Sequence, residues 1–129
     1  MRLRVVTPVR PIVDAEVTEV VAPGSEGEFG ILPLHVTFLG GLRPGVLSYT
    51  IGGTKKRVVI GGGYAEVNQD SVVILADEAQ LPEEIDGVGA RADLGRLQDE
   101  LARGADGERT ESLLRELALV EARVAVTVA

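Results

Sequence analysis

Up to about residue 76 the chain runs in short pieces rich in Val and Ile, broken by Gly, Pro and Asn. Six stretches have the composition of strands: LRVVT (3–7), AEVTEVVA (15–22), GVLSYTI (45–51), KRVVI (56–60), YAEVN (64–68) and SVVILA (71–76). In GVLSYTI, Leu47, Tyr49 and Ile51 share one face while Ser48 and Thr50 share the other, the alternation of a half-buried strand. Gly52-Gly53 allows the chain to reverse with positive φ at no steric cost, and Asn68-Gln69-Asp70 has similar turn chemistry. Short strands, short turns and no helical period predict a β-sandwich or flattened barrel.

Beyond about Ile85 the period changes. Ala90, Leu94, Leu97 and Leu101 recur at intervals of four, three and four, and so do Leu113, Leu117, Val120 and Val124. Each set marks one face of a helix. Between them, Gly104-Ala105-Asp106-Gly107 supplies a Gly to end the first helix and an Asp to cap the second. So short a break predicts an antiparallel hairpin with the two apolar stripes as its seam. The expected fold class is therefore α+β: a β-sandwich domain over 1–84, with an acidic joint at its end, and a two-helix hairpin over 85–129. Gly95 inside the first helix costs about 1 kcal/mol relative to Ala. Helices this short are marginal alone, so the seam or a partner must hold them, and a hairpin able to open is physically plausible.

With 45% hydrophobic residues and 3% aromatics, the chain can hold a core, built from Val, Ile, Leu and Ala. Twenty acidic residues against thirteen basic ones, a formal charge of −7, argue against binding nucleic acid or an anionic membrane surface. The absence of cysteine removes disulfides and thiol chemistry and suits a reducing compartment. No apolar run approaches the roughly 20 residues of a membrane span, and MRLRVVTPVRP lacks a signal-peptide core, so a soluble cytosolic chain is expected.

The stretch GSEGEFGILPLH (24–35) concentrates glycine, glutamate and the one histidine, but neither strand-loop-helix context nor a Lys-Ser/Thr pair accompanies it. Its glutamates would repel phosphate, and a tight turn is the better reading. Glu26, Glu28 and His35 make a poor zinc set, and nothing places a Ser and an Asp around His35, so we expect neither a metal nor a catalytic site. Asp77, Glu78, Glu83, Glu84 and Asp86 lack the spacing of a calcium loop and read as a solvated joint. Arg91, Arg96, Arg103, Arg109, Arg115 and Arg123 decorate the hairpin, with Glu111 and Arg115 spaced as an i,i+4 pair. They read either as a solvated face or as a surface for an acidic protein partner.

Taken in order, GEFGILPLH, GGLRPGVLSY, IGGGYAEV and VVILADEA closely resemble the epsilon subunit of bacterial F-type ATP synthases, called delta in mitochondria. The resemblance implies about ten strands in the sandwich, two helices after it, and a non-catalytic rotor subunit. Its implied partners are the gamma subunit, the membrane c-ring and the alpha/beta head, on the cytoplasmic side of the bacterial inner membrane, with the membrane met only through the complex. By the same resemblance Glu28 is the polar contact to the ring, with Ile31, Leu32 and His35 beside it. Arg109, Arg115 and Arg123 become candidate inhibitory contacts to an acidic segment of the beta subunit. The chain departs from the family at Leu34, before His35, where Gly is usual, and at Val36-Thr37, where Ala-Pro is usual, which implies a differently built turn. It also departs at Gly89, which stands where the family's ATP motif has Arg, so no nucleotide cofactor is expected. An autonomous ligand-binding β domain and a small enzyme using His35 are the alternatives from other classes.

Overall fold

A computed structural model describes residues 1–34 and 37–127. In chain order the elements are β1 (Arg2–Val6), β2 (Pro11–Glu16), β3 (Glu19–Gly24), β4 (Gly27–Ile31), β5 (Phe38–Ile51), β6 (Thr54–Val67), β7 (Ser71–Ala76) and β8 (Ala79–Gln80). A single 3₁₀ turn (Pro82–Glu84) leads into helices α1 (Gly87–Ala102) and α2 (Gly107–Thr127). The strands join in the order β2-β1-β7-β6-β5-β3-β4, with β8 on β6. The β1–β7 pair is parallel and the other pairs are antiparallel.

Two of these strands, β5 and β6, are fourteen residues long and cross between layers. One layer takes the 38–42 half of β5, the 63–67 half of β6, and β7, β1 and β2. The other takes the later half of β5, the earlier half of β6, and β3, β4 and β8. The strands number eight rather than the ten implied by resemblance, and because β5 and β6 each serve both layers they supply five segments to a layer. Glycine makes the crossing possible. Gly62 and Gly63 have φ of +101° and +139°, and a Cβ on Gly63 would stand 1.9 Å from the Leu75 carbonyl oxygen.

Pattern reading merged AEVTEVVA into one strand, whereas the chain turns at Val17-Thr18 and splits it between β2 and β3. It also passed over β4, β8, the start of β2 and the first half of β5, which are short, start with Pro, or are glycine-rich. The two reversals named from sequence do form: Gly52 and Gly53, at φ of +53° and +82°, join β5 to β6, and residues 68–70 join β6 to β7.

One apolar cluster fills the space between the layers, with Leu3, Val5, Val72 and Ile74 meeting Val20, Ile31, Leu47, Val58 and Ile60. Along β6, Val58 and Ile60 face this core, while Val59 points the other way and is buried under Ala122 and Val126 of α2. The run VVI is therefore apolar without alternation because both faces of that strand are covered.

Gly104 and Asp106 act as their sequence suggests, and Asp86 adds a cap that sequence reading assigns to the acidic joint. Asp86 accepts from the Gly89 N–H at 3.1 Å to start α1, Gly104 follows α1 at φ +85°, and Asp106 accepts from the Arg109 N–H at 3.0 Å. Leu94, Leu97, Leu113, Leu117, Val120 and Val124 form one seam cluster. Ala90 is buried outside that cluster, and Leu101, at the frayed end of α1, is 37% exposed and falls off the seam.

Two glycines give opposite predictions. Gly63→Ala should lower stability by roughly 3 kcal/mol or more, because the new Cβ strikes backbone at a positive φ. Gly95→Ala, in open space on α1, should raise it by about 0.5–1 kcal/mol. Urea unfolding of the two variants beside the parent chain measures both.

Candidate functional site

The glutamate-rich stretch resolves into a hairpin turn. Gly24 pairs with Gly27 across Ser25-Glu26, Gly27 has φ +132°, and the Ser25 N–H donates to the Gly41 carbonyl at 2.9 Å. Glu26 and Glu28 project into solvent, while Phe29 turns inward to meet Phe38 edge-on at 5.5 Å. Among the sequence-nominated contacts, Glu28 and Leu32 are exposed and Ile31 is not. Ile31 is fully buried opposite Val20, so alternation along β4 places it in the core and removes it from any outward surface. His35 lies outside the described residues.

Leu34 accounts for the departure in this loop. Its φ is +65°, a conformation glycine accepts freely and a branched side chain adopts at a cost of about 1 kcal/mol or more. Its N–H donates to the Gln69 carbonyl at 2.9 Å, which fixes the loop against the β6–β7 turn. The loop thus keeps a glycine-type backbone and gains an exposed apolar side chain, 74% accessible.

A second uncovered apolar area lies on the outer face of the β1 layer. Val6, Leu75 and Tyr64 stand in register across β1, β7 and β6, with Tyr64 59% exposed and Leu75 49%. Leu39 continues the area on β5. The opposite outer face of the sandwich is the one that α2 covers.

The hairpin lies docked on that face mainly through α2. Leu119, Ala122 and Val126 pack against Val59, Val46 and Ile85, while α1 packs on α2. Sequence reading missed this second stripe on α2, and its signal was the unbroken VVI of β6, which requires a cover. Of the three arginines nominated as inhibitory contacts, two are engaged within the chain. Arg109 forms a fork with both oxygens of Glu100, at 2.5 and 2.7 Å, across the hairpin. Arg123 donates through Nε to Gln80 Oε1 at 2.6 Å and through its terminal nitrogen to Glu78 Oε1 at 3.0 Å. Arg115 is exposed, and among the described residues it forms no ion pair with Glu111.

Several carboxylates of the joint have separate structural duties. Glu78 receives Arg123, and Asp86 caps α1. Glu84 accepts from the Leu81 N–H and pairs with Arg10, and the two together hold its carboxyl below the usual range. Among the described residues no set of three His, Asp or Glu groups is arranged to hold a metal ion. A hollow of about 260 Å³ lies beside Gly89, lined by Asp86, Asp93, Gln80 and Arg123. Arg123 offers the only cationic fork there, and it already has partners. No helix among the described residues is long and apolar enough to cross a membrane.

Comparison with known proteins bears on these surfaces. Residues 1–82 match the family model described as ATP synthase, Delta/Epsilon chain, beta-sandwich domain. The chain is 47% identical over 106 residues to the ATP synthase epsilon chain of Syntrophobacter fumaroxidans, covering 82% of this chain and 79% of that one. It is 42% identical over 125 residues to that of Solibacter usitatus, covering 97% and 93%. Among solved structures it is similar to a chain of the Euglena gracilis mitochondrial ATP synthase (OSCP/F1/c-ring), with a TM-score of 0.81 and 29% identity, covering 95% of this chain and 78% of that one.

The Arg109 fork holds the Glu100 carboxyl below its ordinary pKa. A carboxyl depressed in the folded state stabilises above its unfolded pKa, about 4.3, and loses that contribution as pH falls through the folded value. The parent chain should therefore lose hairpin stability between about pH 5 and pH 3 more steeply than Glu100→Gln. Thermal melts of the helical circular dichroism signal across that range, compared as a difference between the two proteins, test this.

Proposed function

This chain belongs to the ATP synthase delta/epsilon chain family, and on that premise we propose that it works as a rotor subunit, its sandwich clamping the gamma subunit to the membrane c-ring. Ion flow through the ring would then turn the central stalk as one body while ATP is made in the alpha/beta head. The chain itself is non-catalytic. The observation that carries this reading is the family match over the whole sandwich, extended through the hairpin by a relative aligned over 97% of the chain. The exposed Glu28 and Leu32 of the 24–34 segment suit a contact with the polar ends of a ring, and the Val6–Leu75–Tyr64 row suits an apolar face of the stalk. In this arrangement the protein is peripheral, held at the cytoplasmic side of the membrane by its partners.

We further propose that 85–129 is a regulatory arm on the 1–84 clamp. Docked, it leaves reverse rotation free. Released, it would carry its arginines towards an acidic segment of the beta subunit and oppose ATP hydrolysis. α2 is not a net basic arm, since Arg109, Arg115 and Arg123 face Glu108, Glu111, Glu116 and Glu121 on the same helix, so the brake should be partial. Gly89 offers only a backbone N–H, already donated to Asp86, so the docked state is held by the chain's own side chains and needs no nucleotide.

The open end of the hairpin supplies a test. A Cβ on Gly87 would stand 3.3 Å from Thr127 Cβ, close to the separation a disulfide spans, and the chain has no cysteine of its own. The double variant Gly87→Cys/Thr127→Cys, added to the cognate head depleted of this subunit, should inhibit ATP hydrolysis when reduced and at most half as strongly when oxidised. Equal inhibition in the two states would remove the arm from regulation, and failure of both forms to bind the head would overturn the rotor assignment.

A further inference from the structure

We infer that Arg123 is an electrostatic latch: its guanidinium, shared between Gln80 and Glu78, sets how often the hairpin leaves the sandwich. Among the described residues, no other side chain of either helix hydrogen-bonds to the sandwich. The apolar part of the dock is small, with Val59, Ala122 and Val126 as its buried members. Two charge-assisted bonds from a side chain only 25% exposed are thus a large share of what holds α2 down.

The receiving side is built on the layer-crossing bend of β6. Gly61 donates its N–H to the Glu78 carbonyl at 2.9 Å, and the Asp77 N–H donates to the Gly62 carbonyl at 3.0 Å, so the turn bearing Glu78 is pinned to the bend. The stem of Glu78 lies across Gly61, where a Cβ would come within 2.5 Å of its Cγ. Gly61 is a cradle that aims this carboxylate at α2. Release then becomes an exchange of partners: a guanidinium that leaves Gln80 and Glu78 is free to take another carboxylate, and one satisfied elsewhere no longer pulls α2 back.

This goes beyond the regulatory role proposed above and is measured on the isolated full chain, so its failure is separate from any failure of the stalk assignment. In the cysteine-free background, Val59→Cys places a thiol beneath α2, whereas Val58→Cys places one in the sandwich core one residue away. Thiol modification at 59 reads undocking and modification at 58 reads global opening. Arg123→Ala should raise the rate at position 59 on the order of tenfold and leave that at 58 unchanged. Gly61→Ala should move position 59 in the same direction, and Arg123→Lys, which keeps charge but loses the fork, should fall between Arg123→Ala and the parent. An unchanged rate at 59 in Arg123→Ala, or an equal rise at 58, would overturn the latch.

Discussion

The rest of the fold depends on the bend shared by β5 and β6. A flat fourteen-residue hairpin would leave each layer without two of its five segments, and the apolar faces of β1, β7, β3 and β4 would have nothing opposite them. Positive φ at Gly62 and Gly63 carries one hairpin from layer to layer, so local backbone freedom at two residues becomes a global core. Gly62 and its neighbour Gly61 also hold the turn that carries Glu78. A backbone device thereby reaches through one carboxylate to the position of a helix.

Packing on the second layer follows from that geometry. Once β6 passes beneath a core on one side, residue 59 must face the other, and an apolar residue there requires a cover. α2 meets the need by carrying two stripes, one towards α1 through Leu113, Leu117 and Val120, the other towards the sheet through Ala122 and Val126. Polar contacts divide in the same way. Arg109 closes the hairpin on itself, and Arg123 closes it on the sandwich.

Much of this was legible in the residues, and where it was not the reason is physical. Regular spacing of Leu94, Leu97, Leu113 and Leu117 named the seam because helical period is a local property. The cap residue Asp106 was likewise found, since capping acts over three residues, whereas Asp86, read as part of a solvated joint, proved to cap α1. Ile31 was misplaced because a loop motif was read without the alternation of β4 around it, and one step along a strand exchanges core for surface. The docking stripe of α2 was invisible for a different reason. Leu119, Ala122 and Val126 are modest apolar residues whose partners, Val46 in β5, Val59 in β6 and Ile85, lie far back in the chain, and no local period reports a contact of that range. The surfaces proposed to meet other subunits are legible only as exposure, at Glu28, Leu32, Leu39 and Tyr64, because their complements belong to other chains.

The way the hairpin is fastened has a mechanical consequence. α2 has 21 residues, so it is a stiff rod about 30 Å long, and its footing on the sheet is confined to the stretch from Leu119 to Val126. The loop joining the helices stands about 20 Å beyond that footing, and α1 rides on the rod. A lateral load applied near that loop acts through a long arm on a short base, so the contacts break successively, beginning nearest the load. The joint yields by peeling, at far smaller force than the same contacts would resist if pulled in shear. A stalk neighbour that touches only the far tip of the hairpin could therefore lift all of it.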